Sequence, residues 1–469
     1  MLKVITKNIS FNLILFNSLF LIFLVTGCSE NFTDNPHPNQ PPETFISIFT
    51  DRELNPTVSR KTFNWWGDDP DGMVVGFIYT FKENAKNVET WDNNAPDPDW
   101  TFTTETQKTF NLRLSGTDTV YTLKVKAIDD MGAADPTPAV QSFPIRNTRP
   151  VVEFVVATDV PETTFTVATF VWKGTDLDGD DTIAKYQYVL DDTSDESAWV
   201  DIDPRLNSIT LTAKDGLTEG PHVFYLRAVD IAGARSNIIR MPQSEDKIWY
   251  VREPKSKFLL IDDYNIADNT DSFYRKTFKN LVGEVDIWDI KSRQRALEPP
   301  TTTAFTQTLF LFDRIFWYAD TDPNLEKAQV SIPEFLERGG KIIMTTTFPE
   351  FITNEGDPLE FSPVDSLGKK INRITRNQLV IPAPEYEALG FPQLQVKTAI
   401  IPNVFPLVPK ISSDTLYVLP EKPESWPGTP VMGVVDGTSS FVFFGLPLAS
   451  LDGLGTVPQL LEKILNELF

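Results

Sequence analysis

Residues 63–72 read FNWWGDDPDG and residues 170–179 read FVWKGTDLDG, and this repeated pattern defines the first half of the chain. A related stretch follows each of them: residues 121–129 read YTLKVKAID and residues 222–230 read HVFYLRAVD. Two motifs that recur in the same order, roughly a hundred residues apart, indicate a tandem repeat in which each copy is the size of a small domain.

The later motif of each copy alternates between apolar and polar residues, which is typical of a β-strand with one buried face. Asp-Gly pairs and Asn/Pro clusters separate the strands, as expected at turns. Short strands with a tryptophan on an early one suit an antiparallel β-sandwich. The inward-facing positions are predicted to be Tyr121, Leu123, Val125 and Ala127 in the first copy and His222, Phe224, Leu226 and Ala228 in the second.

Both copies resemble fibronectin type III or immunoglobulin-like modules of bacterial envelope proteins. Trp65 and Trp172 match the core tryptophan of an early strand, and Tyr121 matches the aromatic residue that starts the penultimate strand. His222 departs from that pattern because it occupies the tyrosine position, and we expect it to be packed and hydrogen-bonded rather than to bind a ligand. The resemblance predicts the fold but no particular function, because this sandwich hosts many roles.

After residue 254 the sequence changes to short apolar runs that alternate with amphipathic stretches. The run KFLLIDDY at 257–264 is predicted to be a buried parallel strand that ends in carboxylates. Pro333 suggests a break within a predicted helix that runs from Asn324 to the Gly-Gly pair at 339–340, and Thr456 is predicted to cap the last helix. Strands that alternate with amphipathic helices indicate a parallel sheet covered on both sides. The other strands are predicted at 285–288, 314–320, 341–345 and 441–444, and another helix at 272–281.

This region resembles the class I glutamine amidotransferase-like superfamily, whose fold is flavodoxin-like with three layers. The resemblance implies that the chain is multidomain, with two antiparallel β-sandwiches followed by an α/β three-layer flavodoxin-like domain. The long Pro-rich stretch at about 348–440 is interpreted as an insertion that carries hairpins. The segments that carry the resemblance are LLIDD at 259–263, IWD at 287–289, IFW at 315–317, FLERGGKI at 335–342 and FFGLPL at 443–448.

Amidotransferase chemistry needs a cysteine nucleophile and a histidine base, because a thiolate must attack and a proton must be moved. The chain has one Cys and two His, and Cys28, His37 and His222 all lie outside the third domain. A Cys–His site cannot form there, and a Ser–His–Asp triad or a histidine-rich zinc site is excluded for the same reason. We therefore expect a third domain that is more suited to binding than to catalysis.

The solitary Cys28 follows a short basic start and an apolar run, which is the pattern of a secretory leader rather than a membrane-spanning helix. The segment Val25–Cys28 resembles a lipobox, which implies that Cys28 becomes the first mature residue and carries acyl chains. The alternative is an ordinary leader with a chance cysteine. The predicted organisation is a signal peptide at 1–27, a Pro-rich tether at 28–44, sandwiches at 45–147 and 148–252, and the α/β domain at 255–469.

The net charge of the chain is −23, and no block of Lys and Arg stands out, so nucleic acid is excluded as an expected partner. The sequence predicts a lipid-anchored protein of the cell envelope, at the outer membrane, that binds or scaffolds a polysaccharide or another envelope protein. The alternative function is a carboxylate- or metal-dependent glycan hydrolase that uses the third domain.

Three carboxylates in the third domain follow predicted strands, at the edge where open α/β sheets bind ligands. Asp262 and Asp263 end the first of these strands, and Asp320 ends another. Together they are candidates to hold Mg²⁺ or another ligand, and they are the centre of the alternative hydrolase hypothesis. The simpler interpretation is that they are solvated carboxylates at strand ends.

A second acidic group lies in the second sandwich, where Asp176, Asp178, Asp180 and Asp181 surround Gly179. Hard oxygen ligands at alternate positions suit Ca²⁺, although the glutamate of an EF-hand is missing. The competing interpretation is turn chemistry, because Asp and Gly favour tight turns between strands.

Three tryptophans are candidates for a platform that binds a glycan, namely Trp91, Trp100 and Trp199. Packing in the core or at a sheet edge is the competing interpretation.

Overall fold

The computed structural model describes residues 38–47, 60–83, 99–111, 119–145, 147–155, 159–291, 301–348 and 359–469. The predicted leader, Cys28 and Trp91 lie outside these residues. The chain divides into two compact units, of which the first contains Lys61–Phe110 and Asp118–Pro144 and the second contains Ile145–Phe469.

The first unit is a β-sandwich of a three-stranded and a four-stranded sheet. The order of strands is β1-β2-β5 in one sheet and β4-β3-β6-β7 in the other. β1 pairs antiparallel with β2, and β3 pairs antiparallel with both β4 and β6. The strands are β1 Glu43–Ser47, β2 Arg60–Asp68, β3 Val74–Glu83, β4 Thr101–Thr103, β5 Gln107–Asn111, β6 Thr119–Asp129 and β7 Ala139–Ile145.

The second sandwich has the same division into three and four strands, with the orders β13-β10-β8 and β12-β11-β15-β16. A small third sheet has the order β14-β17-β9, in which only the pairing of β9 with β17 is parallel. The strands are β8 Val151–Phe154, β9 Thr163–Thr164, β10 Val167–Thr175, β11 Ile183–Leu190, β12 Val200–Ile202, β13 Ser208–Thr212, β14 Gly220–His222, β15 Phe224–Asp230, β16 Ile239–Met241 and β17 Trp249–Val251.

The core of each sandwich forms from the residues that the repeat predicts. Trp65 on β2 and Trp172 on β10 are each 1% exposed. The alternating inward positions of β6 are also buried, and so are those of β14 and β15, including His222. The prediction of two antiparallel β-sandwiches is therefore confirmed.

The rest of the second unit is built on a nine-stranded mixed sheet with the order β19-β18-β20-β21-β30-β29-β28-β24-β25. The first five strands in this order pair in parallel. From β30 onward the pairings are antiparallel. The parallel strands are β18 Phe258–Asp263, β19 Asp286–Asp289, β20 Arg314–Ala319, β21 Lys341–Thr345 and β30 Phe441–Phe444.

Helices lie on both faces of the parallel strands, because alternate strand residues belong to two separate apolar cores. Phe258 and Leu260 pack with Tyr274 and Phe278 of α1 and with the last helix, α5. Leu259 and Ile261 pack on the opposite side, with α2 and α3. The helices are α1 Thr270–Val282, α2 Thr302–Leu309, α3 Leu325–Glu337, α4 Pro384–Ala388 and α5 Val457–Lys463, and a π-helical turn Ile464–Leu468 continues α5.

The region between β21 and β30 does more than form separate hairpins, because four of its strands extend the main sheet. The remaining strands pair as two-stranded sheets, β22 with β27 and β23 with β26. The strands of this region are β22 Val364–Leu367, β23 Ile371–Thr375, β24 Leu379–Pro382, β25 Leu394–Gln395, β26 Ile400–Val404, β27 Leu407–Pro409, β28 Ser413–Val418 and β29 Val431–Asp436.

Two local predictions are wrong. Helix α3 continues through Pro333 without a break, and its buried residues include Ser331 and Ile332 on one side of the proline and Phe335 on the other. Tertiary packing therefore outweighs the local cost of proline. Thr456 takes the predicted N-cap position of α5, but its side chain does not cap the helix. Its hydroxyl donates to the Gln393 carbonyl (2.6 Å), and the Asp452 carboxylate accepts from the first backbone N–H of the helix (3.1 Å).

The second sandwich joins the nine-stranded sheet through an aromatic and ionic contact. Phe165 is 2% exposed and packs edge-on against Trp288 and Phe312, with ring centroids 6.2 and 5.1 Å away. The Arg252 guanidinium lies 4.0 Å from the Phe165 ring centroid, donates to the Ile287 carbonyl (2.7 Å) and lies 3.7 Å from the Asp286 carboxylate. The two parts are consequently one compact unit.

Candidate functional site

The carboxyl ends of β18 and β20 meet at one edge of the sheet because these strands are parallel neighbours. Asp263 ends β18, and Asp320 directly follows β20. Both carboxylates face the side chain of Lys291, whose Nζ lies 2.7 Å from Asp320 Oδ1 and 3.8 Å from Asp263 Oδ1. The structure thus brings two of the three predicted carboxylates together around a lysine that the sequence analysis missed.

Asp263 is 1% exposed, and its second oxygen is fully engaged. Asp263 Oδ2 accepts hydrogen bonds from Trp317 Nε1 (3.1 Å) and from the backbone N–H of Asn324 (2.7 Å). Burial raises the pKa of Asp263 to about 7, although the Asn324 N–H and the Lys291 charge oppose this effect. A carboxyl group that is expensive to ionise and already hydrogen-bonded is poorly placed to contact a substrate.

Asp320 is similarly occupied. Its Oδ1 accepts from the Asp322 backbone N–H (2.9 Å), and its Oδ2 accepts from the Asn265 backbone N–H (3.0 Å). The hydroxyl of Thr346, just beyond β21, donates to the Asp320 carbonyl (2.9 Å). These bonds fix the loops that follow three parallel strands.

Asp262 lies on the other side of the sheet, since consecutive strand residues face opposite ways. Burial raises the pKa of Asp262 to about 6, the Tyr318 hydroxyl lowers it, and the charges of Asp289 and Asp271 raise it further. The structure therefore does not bring Asp262 and Asp263 together as a pair that could act on one glycosidic bond.

The geometry at this edge does not fit the Mg²⁺ that the sequence analysis considered. Lys291 already supplies a positive charge between Asp263 and Asp320. Lys291 precedes Asp320 by 29 residues, and no sequence pattern connects the two residues, because only the fold brings their side chains together.

The acidic loop of the second sandwich separates into two parts. Asp176 and Asp178 both accept from the Thr148 hydroxyl (3.2 and 3.0 Å), and the preceding Asn147 donates to Asp230. Asp180 and Asp181 instead begin a short 3-10 helix, where Asp180 Oδ1 accepts from the Asp176 backbone N–H (2.9 Å). The four predicted residues therefore do not form one ligand set.

His222 is held from both sides of its ring. Its Nδ1 lies 2.9 Å from the Asp191 carboxylate and its Nε2 lies 2.8 Å from the Thr218 carbonyl oxygen. Trp199 is buried under Arg227, whose guanidinium lies 3.9 Å from the ring centroid, and Lys126 lies 5.5 Å from the Trp100 ring. Packing thus accounts for these three aromatic and histidine side chains.

A surface cavity of about 280 Å³ lies beside β23 in the second unit. Arg373 and Lys422 are its charged residues, and no carboxylate lines it. Trp426 forms part of its wall, 5% exposed, with the Lys422 ammonium 5.6 Å from the ring centroid. Polar groups for hydrogen bonding come from Asn372, Thr375, Gln378 and Ser425. A cavity of this composition suits a small anionic or hydroxylated group.

No helix among the described residues is both long and apolar enough to cross a bilayer.

No protein-family model matches this sequence, and no curated protein matches it significantly. Among solved structures, the fibronectin(III)-like modules of CbhA from Clostridium thermocellum align with 14% identity and a TM-score of 0.19, covering 45% of this chain and 95% of that one. A two-domain fibronectin type III segment of chicken tenascin aligns with 14% identity and a TM-score of 0.18, covering 43% and 97%. The PKD1 domain of Epp from Vibrio anguillarum aligns with 17% identity and a TM-score of 0.16, covering 24% and 99%. These scores are low, so the sandwich assignment depends on the sheets described above, and no function follows from the likeness.

Proposed function

We propose that this chain is a binding protein of the bacterial cell envelope, anchored by lipid on Cys28, with a polysaccharide as its ligand. We also propose that its last domain is a flavodoxin-like, amidotransferase-like domain that does not use the catalytic site of that superfamily. The support for this second part is the order of the parallel strands, in which the second strand in sequence lies outside the first and the third, fourth and fifth follow on the other side.

The main support for a binding role, as opposed to a hydrolase, is that the carboxylates at the strand ends already have partners within the protein. Asp263 and Asp320 share the single positive charge of Lys291 and are hydrogen-bonded to the backbone, and Asp262 faces the other way. A glycan hydrolase would need two carboxyl groups on either side of one open cleft. The same residues are well suited to hold the loops of a rigid binding domain.

The cavity beside β23 favours an acidic polysaccharide as the ligand. Arg373 and Lys422 line this cavity with two positive charges, in a chain whose net charge is −23. A uronate or another acidic sugar would contact these cations, and the neighbouring amides and hydroxyls match its hydroxyl groups. The volume suits one sugar residue of a longer chain rather than an extended segment.

Affinity electrophoresis of the full chain in gels that contain alginate, polygalacturonate or neutral dextran tests the ligand. The acidic polymers should retard the protein and dextran should not. The double variant Arg373→Ala/Lys422→Ala should lose the retardation, while Lys276→Ala/Lys279→Ala, which removes the same charge from exposed positions on α1, should keep it.

The assignment of the cavity is contradicted if the acidic polymers retard both double variants equally. It is also contradicted if neither double variant moves more slowly in these gels than in a gel without polymer. Release of reducing sugar that Asp263→Asn abolishes would favour the hydrolase instead.

The anchor is tested separately, by mass spectrometry of the amino terminus from a bacterial host. An acylated Cys28 is expected, and an uncleaved leader with a free thiol would overturn that part of the proposal.

A further inference from the structure

The two sandwiches share a set of four oxygen-bearing side chains that extends beyond the acidic loop. The first two aspartates of each set stand four and six residues after the core tryptophan, and each asparagine stands three residues before a proline that precedes the first strand. The third aspartate ends the strand that follows the repeat motif, β6 or β15. The sets are Asn39, Asp69, Asp71 and Asp129 in the first sandwich and Asn147, Asp176, Asp178 and Asp230 in the second.

The hydrogen bonds of the asparagine are the same in both copies. Asn39 Nδ2 donates to Asp129 Oδ2 (2.6 Å), and Asn147 Nδ2 donates to Asp230 Oδ2. The next backbone N–H donates to the second aspartate of the loop. It comes from Gln40 in the first copy (3.1 Å) and from Thr148 in the second (2.9 Å).

The aspartates are also arranged alike. The Asp71 N–H contacts Asp69 Oδ1 (3.4 Å), and the Asp178 N–H donates to Asp176 Oδ1 (2.9 Å). Asp129 Oδ1 accepts from the Ala133 N–H (2.7 Å), and Asp230 Oδ1 accepts from the Ala234 N–H (2.8 Å). The sequence repeat is therefore matched by a repeat in geometry.

These bonds leave specific oxygens without partners. Asp176 is 8% exposed, and its Oδ2 is buried and accepts no hydrogen bond. Asn147 Oδ1 in this set and Asp69 Oδ2 in the other are also buried atoms without a hydrogen-bond partner, although both residues are half-buried. A buried oxygen without a donor costs about 1–3 kcal/mol, and more if it is charged, so a cation bound beside these three atoms would remove that cost in both sets.

None of the ion pairs between described residues includes a carboxylate from either set. Asp230 is 2% exposed and Asp129 is 1% exposed, so water reaches them poorly.

A glycine keeps space beside these oxygens in the first copy. A Cβ atom on Gly72 would lie 2.7 Å from Asp69 Oδ2 and 2.6 Å from Asp130 Oδ1. The corresponding Gly179 has a φ of 115°, which other residues rarely adopt.

We propose that each sandwich binds one Ca²⁺ through its asparagine and its two loop aspartates, with the third aspartate completing the charge. Carboxylate and amide oxygens are the ligands that Ca²⁺ prefers, and its flexible coordination tolerates ligands from three separate segments. No three acidic side chains among the described residues already form a metal cage, so binding must draw the ligands inward. A half-turn of the Asn147 amide would direct Oδ1, now without a donor, towards the carboxylates.

Calorimetric titration of the full chain with CaCl₂, after treatment with chelator, tests this proposal independently of the polysaccharide. We expect two bound ions per chain and a higher melting temperature in Ca²⁺ than in EDTA. Asp176→Asn should remove one ion, Asp69→Asn should remove the other, and the double variant should bind none. A weakening of about tenfold or more at the altered site counts as removal.

Asp192→Asn is the matched control, because Asp192 is an exposed turn carboxylate of the same sandwich whose side chain accepts from the Ser194 N–H. It should keep both ions, and so should Asp181→Asn, which lies next to the set but outside it. Asp178→Asn replaces Asp176→Asn if the latter does not fold, as judged by circular dichroism. The proposal is overturned if the wild-type chain releases no heat and gains no thermal stability in 10 mM CaCl₂, about ten times the dissociation constant of the weakest extracellular calcium modules. It is also overturned if Asp176→Asn and Asp69→Asn bind like the wild type.

Discussion

Lys291 is the residue on which the strand-end cluster of the second unit depends. Its ammonium is the cation that faces both Asp263 and Asp320, and it also donates to the Asp322 carbonyl. Asp320 is 8% exposed and its Oδ1 lies 2.7 Å from Lys291 Nζ, so removal of this charge would leave a buried carboxylate without its cation.

We therefore predict that Lys291→Met lowers the free energy of unfolding by about 3 kcal/mol, as is typical when one partner of a buried ion pair is removed. The added change Asp320→Asn should restore part of this loss, because one fewer carboxylate then lacks a cation. Urea unfolding followed by tryptophan fluorescence measures both effects. Lys279→Met, on the exposed side of α1, is the control, and an equal loss in this variant would mean that the ion pair is not responsible.

The raised pKa of Asp263 predicts a pH dependence of stability. The unfolded carboxyl has its ordinary pKa of 3.8, whereas the folded one has a pKa of about 7. Between these values the folded chain keeps a proton that the unfolded chain releases, so this group makes stability fall as pH rises from about 4 to about 7. Its contribution to the slope is at most about 1.4 kcal/mol per pH unit.

Asp263→Asn should flatten the stability profile over that range. Unfolding in urea at pH 5 and at pH 7.5 measures the difference. Asp365→Asn, an exposed carboxylate on β22, should leave the profile unchanged. A profile for Asp263→Asn that is parallel to the wild type at every pH would contradict the assignment.

At the scale of elements, Pro333 lies within α3 although proline normally interrupts a helix. It removes one backbone hydrogen bond, and the helix persists because Ile332 and Phe335 are buried and the Ser331 hydroxyl lies 2.8 Å from the Thr306 hydroxyl of α2. Pro333→Ala should therefore stabilise the chain by about 1–2 kcal/mol, less than the full helix cost of proline because proline also restricts the unfolded chain.

Chemical denaturation measures this gain, and Pro384→Ala supplies the comparison. Pro384 stands at the first position of α4, where proline is tolerated, so its replacement should give little or no gain. A destabilised Pro333→Ala variant would mean that the proline shapes the packing of α2 against α3.

How far the sequence predicts such elements depends on the range of the interactions involved. Tyr121 and Trp172 are buried as predicted, because alternation and a core tryptophan are local signals. Lys341–Thr345 matches its predicted strand for the same reason. Lys291, Asn147 and the extension of the sheet by β28 and β29 could not be predicted, because they depend on which distant segments the fold brings together.

At the scale of the whole molecule, the division into two compact units has a thermodynamic consequence. Unit one contains a single sandwich, whereas unit two combines the second sandwich with the nine-stranded sheet. Within unit two, Phe165 and Arg252 couple these parts through buried aromatic and charged contacts. We expect each unit to unfold cooperatively by itself, since every unit has its own core.

Differential scanning calorimetry should accordingly show two transitions, and one substitution in each unit identifies them. Leu123→Ala removes a fully buried side chain from the first sandwich, and Phe165→Ala removes one from the joint in the second unit; each should cost about 3 kcal/mol. The shift in melting temperature should be larger for Leu123→Ala, because about 4–8 °C is lost per kcal/mol in a domain of that size and only about 2–4 °C in larger ones. Each substitution should shift one transition and leave the other in place. In the double variant, each transition should shift by the same amount as in the corresponding single variant. A single transition whose melting temperature both substitutions lower would show that the first sandwich and the rest of the chain unfold together. A third transition that appears only in Phe165→Ala would show that the joint alone holds the second unit together.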